Sequence, residues 1–234
     1  MIESFRVSNF ASFKDEVLIT TLANSSKKEL IDKNTFKCRE NIYNKVSYIF
    51  GSNGSGKTNL FVGFNKLRKI IVMSTVIGVR SRKLLEVPIV KKELTSPIEN
   101  FKFDKNSSSR PTEFGIDIII DDILYTYEFK MLNDKVISEI LTKKKKRKEV
   151  LIKRTSPNFE DIILRSELAK FKTNLHVVRE NSLCLAMAAL LNNELANKII
   201  DEIMSYEIIS MASMDGNTCF NEENTSPEYI KRYL

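Results

Sequence analysis

Eight consecutive residues, Gly51-Ser52-Asn53-Gly54-Ser55-Gly56-Lys57-Thr58, constrain this chain more than any other stretch. They match G-x-x-x-x-G-K-[ST] in full, a spacing that follows from wrapping backbone around a phosphate. Glycines give the loop conformations that a Cβ forbids, so that successive N–H groups converge on one anion. Lys57 supplies a positive point charge able to reach β- and γ-phosphates, and the Thr58 hydroxyl is placed to ligate Mg²⁺. A helix that starts here turns its positive end toward the same anion. The chain has only seven glycines, and three of them stand inside the motif, so an incidental glycine turn is a poor explanation.

The flanks fit the motif. Val46-Ser47-Tyr48-Ile49-Phe50 is β-rich and apolar and predicts a strand running straight into the loop. Leu60, Phe61, Phe64, Leu67, Ile70 and Ile71 recur at helical spacing and predict a helix that stops near Gly78. Upstream, Ile2, Phe5 and Val7 and then Val17-Leu18-Ile19-Thr20 predict two strands around a turn, followed by a polar, lysine-rich stretch from Asn24 to Lys45. Downstream, apolar runs at Phe114–Ile120, Ile123–Met131, Val136–Thr142 and Val150–Arg154 predict a four-stranded antiparallel meander. Leu183, Met187, Leu190 and Leu191, then Leu195, Ile199, Ile200 and Ile203, return to a helical period, and the tail beyond Met211 is polar.

Hydrophobic residues make up 42% and charged residues 29% of the 234, a balance that excludes a wholly disordered or fibrous chain. The apolar runs are short and broken by charge, so no membrane-spanning segment is expected, and the N-terminus lacks the apolar core of a secretion signal. Cys38, Cys184 and Cys219 have neither disulfide-framework nor metal-site spacing, which suits a reduced, cytoplasmic setting. The net charge of +7 is local: Lys143-Lys144-Lys145-Lys146-Arg147-Lys148 carries six of those charges, leaving about +1 elsewhere.

In its opening hairpin with Asn9-Phe10-Ala11-Ser12-Phe13, then Gly51 to Thr58 followed by Asn59-Leu60, the chain resembles ATPases of the ABC/SMC-like branch. In particular it resembles the bacterial AAA-family ATPases of abortive-infection and other phage-defence systems. Tyr125-x-Tyr127, Ile137-Ser138-Glu139-Ile140-Leu141 and Lys153-Arg154 resemble the β-lobe of the same group. The resemblance implies an α/β P-loop NTPase lobe with an antiparallel β-meander and a helical C-terminal part. It implies ATP and Mg²⁺ as cofactors, held by Gly51, Ser52, Asn53, Gly54, Ser55, Gly56, Lys57, Thr58 and Asn59. ATP binding and hydrolysis would be coupled to dimerisation of two heads. The expected organisation is an ATP-binding lobe over 1–165 with a β-subdomain at about 101–155, a helical part over 166–212, and a polar tail over 213–234.

The chain also departs from that group. It has no Ser-Gly-Gly-type signature, its one histidine, His176, stands in a segment unlike the switch, and there is no glutamine for a Q-loop. Glu139 is the residue nearest to a Q-loop place. The chain thus looks like the N-terminal half of such an ATPase. It would act as a homodimer, with a missing C-terminal half, or as a non-hydrolysing nucleotide sensor controlling a nuclease effector.

Several features carry two readings. Ile118-Ile119-Ile120-Asp121-Asp122 imitates a Walker B strand, which would make Asp121 and Asp122 catalytic, yet the alternation around it also fits a hairpin turn. The basic run over 143–148 suits either nucleic-acid phosphates or a solvated hairpin tip. Phe10 and Phe13 would border an adenine or pack beneath the loop. Cys184 reads as a core residue and His176 as a surface one.

Overall fold

The structure, a computed structural model, describes residues 1–24, 31–78 and 98–206. Its strands are β1 (Ile2–Ser8), β2 (Val17–Thr20), β3 (Thr35–Cys38), β4 (Asn41–Asn44), β5 (Thr112–Ile120), β6 (Ile123–Leu132), β7 (Lys135–Lys144), β8 (Lys148–Arg154) and β9 (Ile163–Leu164). The helices are α1 (Ile31–Asn34), α2 (Lys57–Gly78), α3 (Cys184–Leu190) and α4 (Glu194–Ser205), with a 3-10 stretch over Ser166–Val177. Seven strands form one sheet in the order β2-β1-β5-β6-β7-β8-β9, every pair antiparallel, and β3 and β4 form a separate hairpin.

The meander expected downstream is β5 to β8, and it continues in one sheet with β1 and β2. β5 is buried along nearly its whole length, so it needs a neighbour on each side, and β1 supplies the second. The register aligns Val7, Phe114 and Phe129, and beside them Phe5, Ile116, Tyr127, Leu141 and Ile152, on one apolar face. Helix α2 lies on this face: Leu60, Phe64, Leu67 and Ile71 are buried, and Phe64 meets Phe5 edge-on at 5.4 Å. Arg68 donates to the carbonyls of Met204 and Tyr206, capping the end of α4 with a side chain from α2.

On the opposite face charge replaces apolar packing. Arg6 bridges Asp117 at 2.6 Å and Glu128 at 2.9 Å, lying flat over Gly115, where a Cβ would stand 2.9 Å from its Nε. Among the described residues no helix is long and apolar enough to cross a membrane. The tail over 213–234, the preceding residues from 207, and Cys219 lie outside the described residues.

Within the Asn24–Lys45 stretch the short β3–β4 hairpin forms, anchored by Tyr43, which is wholly buried and donates to Glu3 at 2.5 Å. One expectation is corrected. The expected strand over Val46–Phe50 has no ladder partner among the described residues and is not a strand. Val46, Tyr48, Ile49 and Phe50 are 59%, 78%, 51% and 87% exposed. Composition favours a strand there, but a strand exists only when a neighbour completes its hydrogen bonds.

Candidate functional site

The motif residues fold as a loop that ends in the first turn of α2, with Lys57 as the first helical residue. Gly54 and Gly56 have φ of +81° and +91°, the left-handed region that side chains disfavour. Lys57 Nζ lies back across the loop, donating to the carbonyls of Gly51 at 2.6 Å and Ser52 at 2.7 Å, with Ser55 Oγ at 3.5 Å. The ammonium therefore already sits at the loop's centre, held by neutral acceptors that a phosphate oxygen would outcompete. Thr58 is exposed on the first turn and Asn59 follows it, half-buried. The 22-residue α2 has no acid in its first turn, so its positive end is left for an anion. Backbone donors, a lysine and a hydroxyl in this order are the chemistry that a polyphosphate and its magnesium require.

The opening hairpin reaches the same loop. A Cβ on Gly56 would stand 2.9 Å from both Phe13 Cε1 and Ser12 Oγ, so these residues press on the loop's backbone. Phe10 is buried in the core against Phe114 and faces Gly63 of α2, which places it beneath the helix. Phe13 is the half-buried member of the pair and borders the loop itself. The contact of Ser12 with Gly56 had no sequence signal, since it joins segments far apart in the chain. Gly56→Ala combines a disfavoured φ with this clash and is expected to destabilise the chain by about 1 to 3 kcal/mol. Urea denaturation against the parent chain measures it.

Asp121 and Asp122 stand elsewhere. They are the two-residue turn between β5 and β6, with φ of +51° and +60°, and both are exposed. Ser8, which leads into the turn touching Gly56, pairs with Glu113 at the other end of β5. β5 has nine residues, so at about 3.4 Å each its two ends are about 27 Å apart. Of the two readings, the structure places these acids in the hairpin turn, where Asp121 has Lys198 at 3.7 Å.

Glu139, by contrast, is closed off from solvent. Its carboxylate is fully buried and accepts from the Tyr127 hydroxyl at 2.9 Å and from the backbone N–H groups of Cys184 at 2.7 Å and Leu185 at 2.9 Å. It thus caps the start of α3 from the middle of the sheet. Burial pushes its carboxyl above the usual range, against the opposing pull of these donors and of Arg154. Arg154, its cross-strand neighbour, is also fully buried and donates to the carbonyls of Ser156, Pro157, Arg179 and Ser182. Cys184 is buried among apolar residues, where its thiol is pushed up by desolvation, and His176 is exposed. Among the described residues no group of His, Cys, Asp and Glu has metal-binding geometry.

The basic run forms the β7–β8 tip. Lys143 is neutralised by Glu167 at 2.6 Å and Glu149 at 3.4 Å, whereas Lys144 to Lys148 are exposed. Comparison with protein-family models, with curated proteins and with solved structures finds no match.

Proposed function

We propose that this chain is the phosphate-binding lobe of an ATPase of the ABC/SMC-like type. Gly51 to Lys57 would wrap the phosphates of ATP, Thr58 would hold Mg²⁺, and Asn59 would follow on the helix. The observation that carries this reading is the complete motif at the head of α2, with Gly54 and Gly56 at positive φ and Lys57 already centred in the loop. Bound Mg²⁺ would neutralise charge on the β- and γ-phosphates, while this chain's residues orient the phosphate chain and exclude water beneath it. The exposed run Val46–Phe50 favours a complementary partner: its composition is that of a strand buried on both faces. A missing C-terminal half or a second head would cover it and bring the groups that the chain lacks. A role in phage defence, in the cytoplasm, is what the resemblance adds.

The position of Asp121 and Asp122, at the far end of β5, favours a second reading. In it the chain binds ATP without turnover and signals to a partner such as a nuclease effector. Calorimetric titration with ATP-Mg²⁺, with phosphate release followed in parallel, tests both. Binding without turnover is the expected outcome for the chain alone. Steady multiple turnover by the isolated chain would remove the sensor reading, and failure of well-folded protein to bind would remove both.

A further inference from the structure

Two hairpins from different parts of the chain meet at the basic tip. Arg39, in the two-residue turn between β3 and β4, donates to the carbonyls of Lys144 at 3.3 Å and Lys145 at 3.4 Å. Its φ is +56°, a conformation that glycine ordinarily fills in such a turn and that disfavours a long side chain. The opposing cations add a second unfavourable term: Lys144 faces Lys148 directly across the ladder. One step further down, Lys143 faces Glu149 and is neutralised, so the mismatch is confined to the tip. Among the described residues no ion pair is made by Lys144, Lys145, Lys146, Arg147 or Lys148.

A merely solvated turn needs none of this. The two-residue turns of the seven-stranded sheet, at Asp121-Asp122 and Asn133-Asp134, use residue types that accept positive φ readily. Strained Arg39 and facing lysines are instead what a surface for a dense polyanion would contain, because bound phosphates reverse the sign of the repulsion. The tip itself, Lys144 to Lys148, holds no apolar residue that could enter a bilayer, and no aromatic that could stack on bases.

We propose that Arg39 and Lys144 to Lys148 form a nucleic-acid interface that grips the phosphate backbone without reading sequence. Arg39 holds the tip by its carbonyls and adds its own charge beside it. The interface stands at the Asp121 end of the sheet, since Lys144 pairs with Leu124, and the phosphate loop lies toward the Glu113 end. It is therefore a site separate from that of ATP.

The experiment is fluorescence polarisation of the full chain with a short labelled DNA duplex and the corresponding single strand, at salt from about 50 to about 200 mM. Wild type is expected to bind with log K falling against log salt at a slope of about −4 to −5, close to −0.9 per phosphate contacted. Replacing Lys145, Lys146 and Arg147 together by Ser should flatten that slope by about 2 to 3 units and lower low-salt affinity about 100-fold. Arg39→Gly relaxes the turn, so it should keep the wild-type melting temperature yet bind several-fold more weakly. Lys57→Ala should bind the duplex like wild type, which separates this interface from the nucleotide loop. A triple variant that melts like wild type but keeps its affinity and slope overturns the proposal. So does wild type that binds neither nucleic acid at low salt, whether or not it binds vesicles of anionic lipid.

Discussion

Glu139→Ala is expected to lower the stability of the chain by about 3 to 5 kcal/mol, the range for breaking a buried charge network. Three donors lose their acceptor at once: the Tyr127 hydroxyl and the backbone N–H groups of Cys184 and Leu185. Each buried donor left unsatisfied costs about 1 to 3 kcal/mol, and Arg154 loses its nearest opposite charge. Chemical denaturation should show the transition midpoint falling with little change in slope. Glu139→Gln keeps the shape but offers one acceptor oxygen in place of two, so its loss should be smaller, about 1 to 3 kcal/mol. The pH dependence separates charge from shape. Burial raises the folded carboxyl above its unfolded value, so folding takes up a proton between the two. Wild-type stability should therefore fall as pH rises through that window, and the slope should disappear in Glu139→Gln. An alanine variant within experimental error of wild type would mean that the cap is unimportant.

Lys57→Ala is expected to weaken ATP-Mg²⁺ binding about 10- to 100-fold, since hydrogen bonds to charged groups contribute about 1.5 to 3 kcal/mol. The fold should survive, because the ammonium contacts only carbonyls and a hydroxyl of its own loop. Thr58→Ala should act differently. Affinity for ATP without metal should stay near wild type, while the gain on adding Mg²⁺ is lost. Titration calorimetry with and without Mg²⁺ distinguishes the two. Equal affinity in wild type and Lys57→Ala would show that nucleotide, if bound, binds elsewhere.

Local features were legible in the sequence wherever a short-range period or turn decided them. Helix α2 begins at Lys57 because the loop supplies its start, and its apolar spacing sets the face it buries. The turn at Asp121-Asp122 was legible as one of two readings, and the backbone selects it through two residues at positive φ. Features that depend on distant partners were not legible. The pairing of β1 with β5 joins Ser4 to Asp117, and no local pattern names the neighbour. Arg154 stands beside exposed Lys153 and is fully buried, its guanidinium held by carbonyls of Ser156, Pro157, Arg179 and Ser182 that no local pattern names. Val46–Phe50 is the converse case: its composition states what the run needs, while the partner must come from elsewhere. For the site, the order of glycines, lysine and threonine was legible in the sequence and Phe13 against the loop was one of two readings, whereas the contact of Ser12 with Gly56 had no local signal.

The uncovered run beside the Gly51–Thr58 loop also governs how this protein would behave as a material. Val46-Ser47-Tyr48-Ile49-Phe50 combines β-propensity, no charge, no proline and no glycine, the composition of segments that stack into fibrils. Lys45 guards one end, while the other opens into Gly51. A net charge of +7 would ordinarily keep chains apart in solution, but charge gathered at a distant hairpin does little to shield five neighbouring residues. Colloidal stability of the isolated chain should thus be set by this short stretch, and a single lysine at Tyr48 or Ile49 should improve it more than any change elsewhere on the surface.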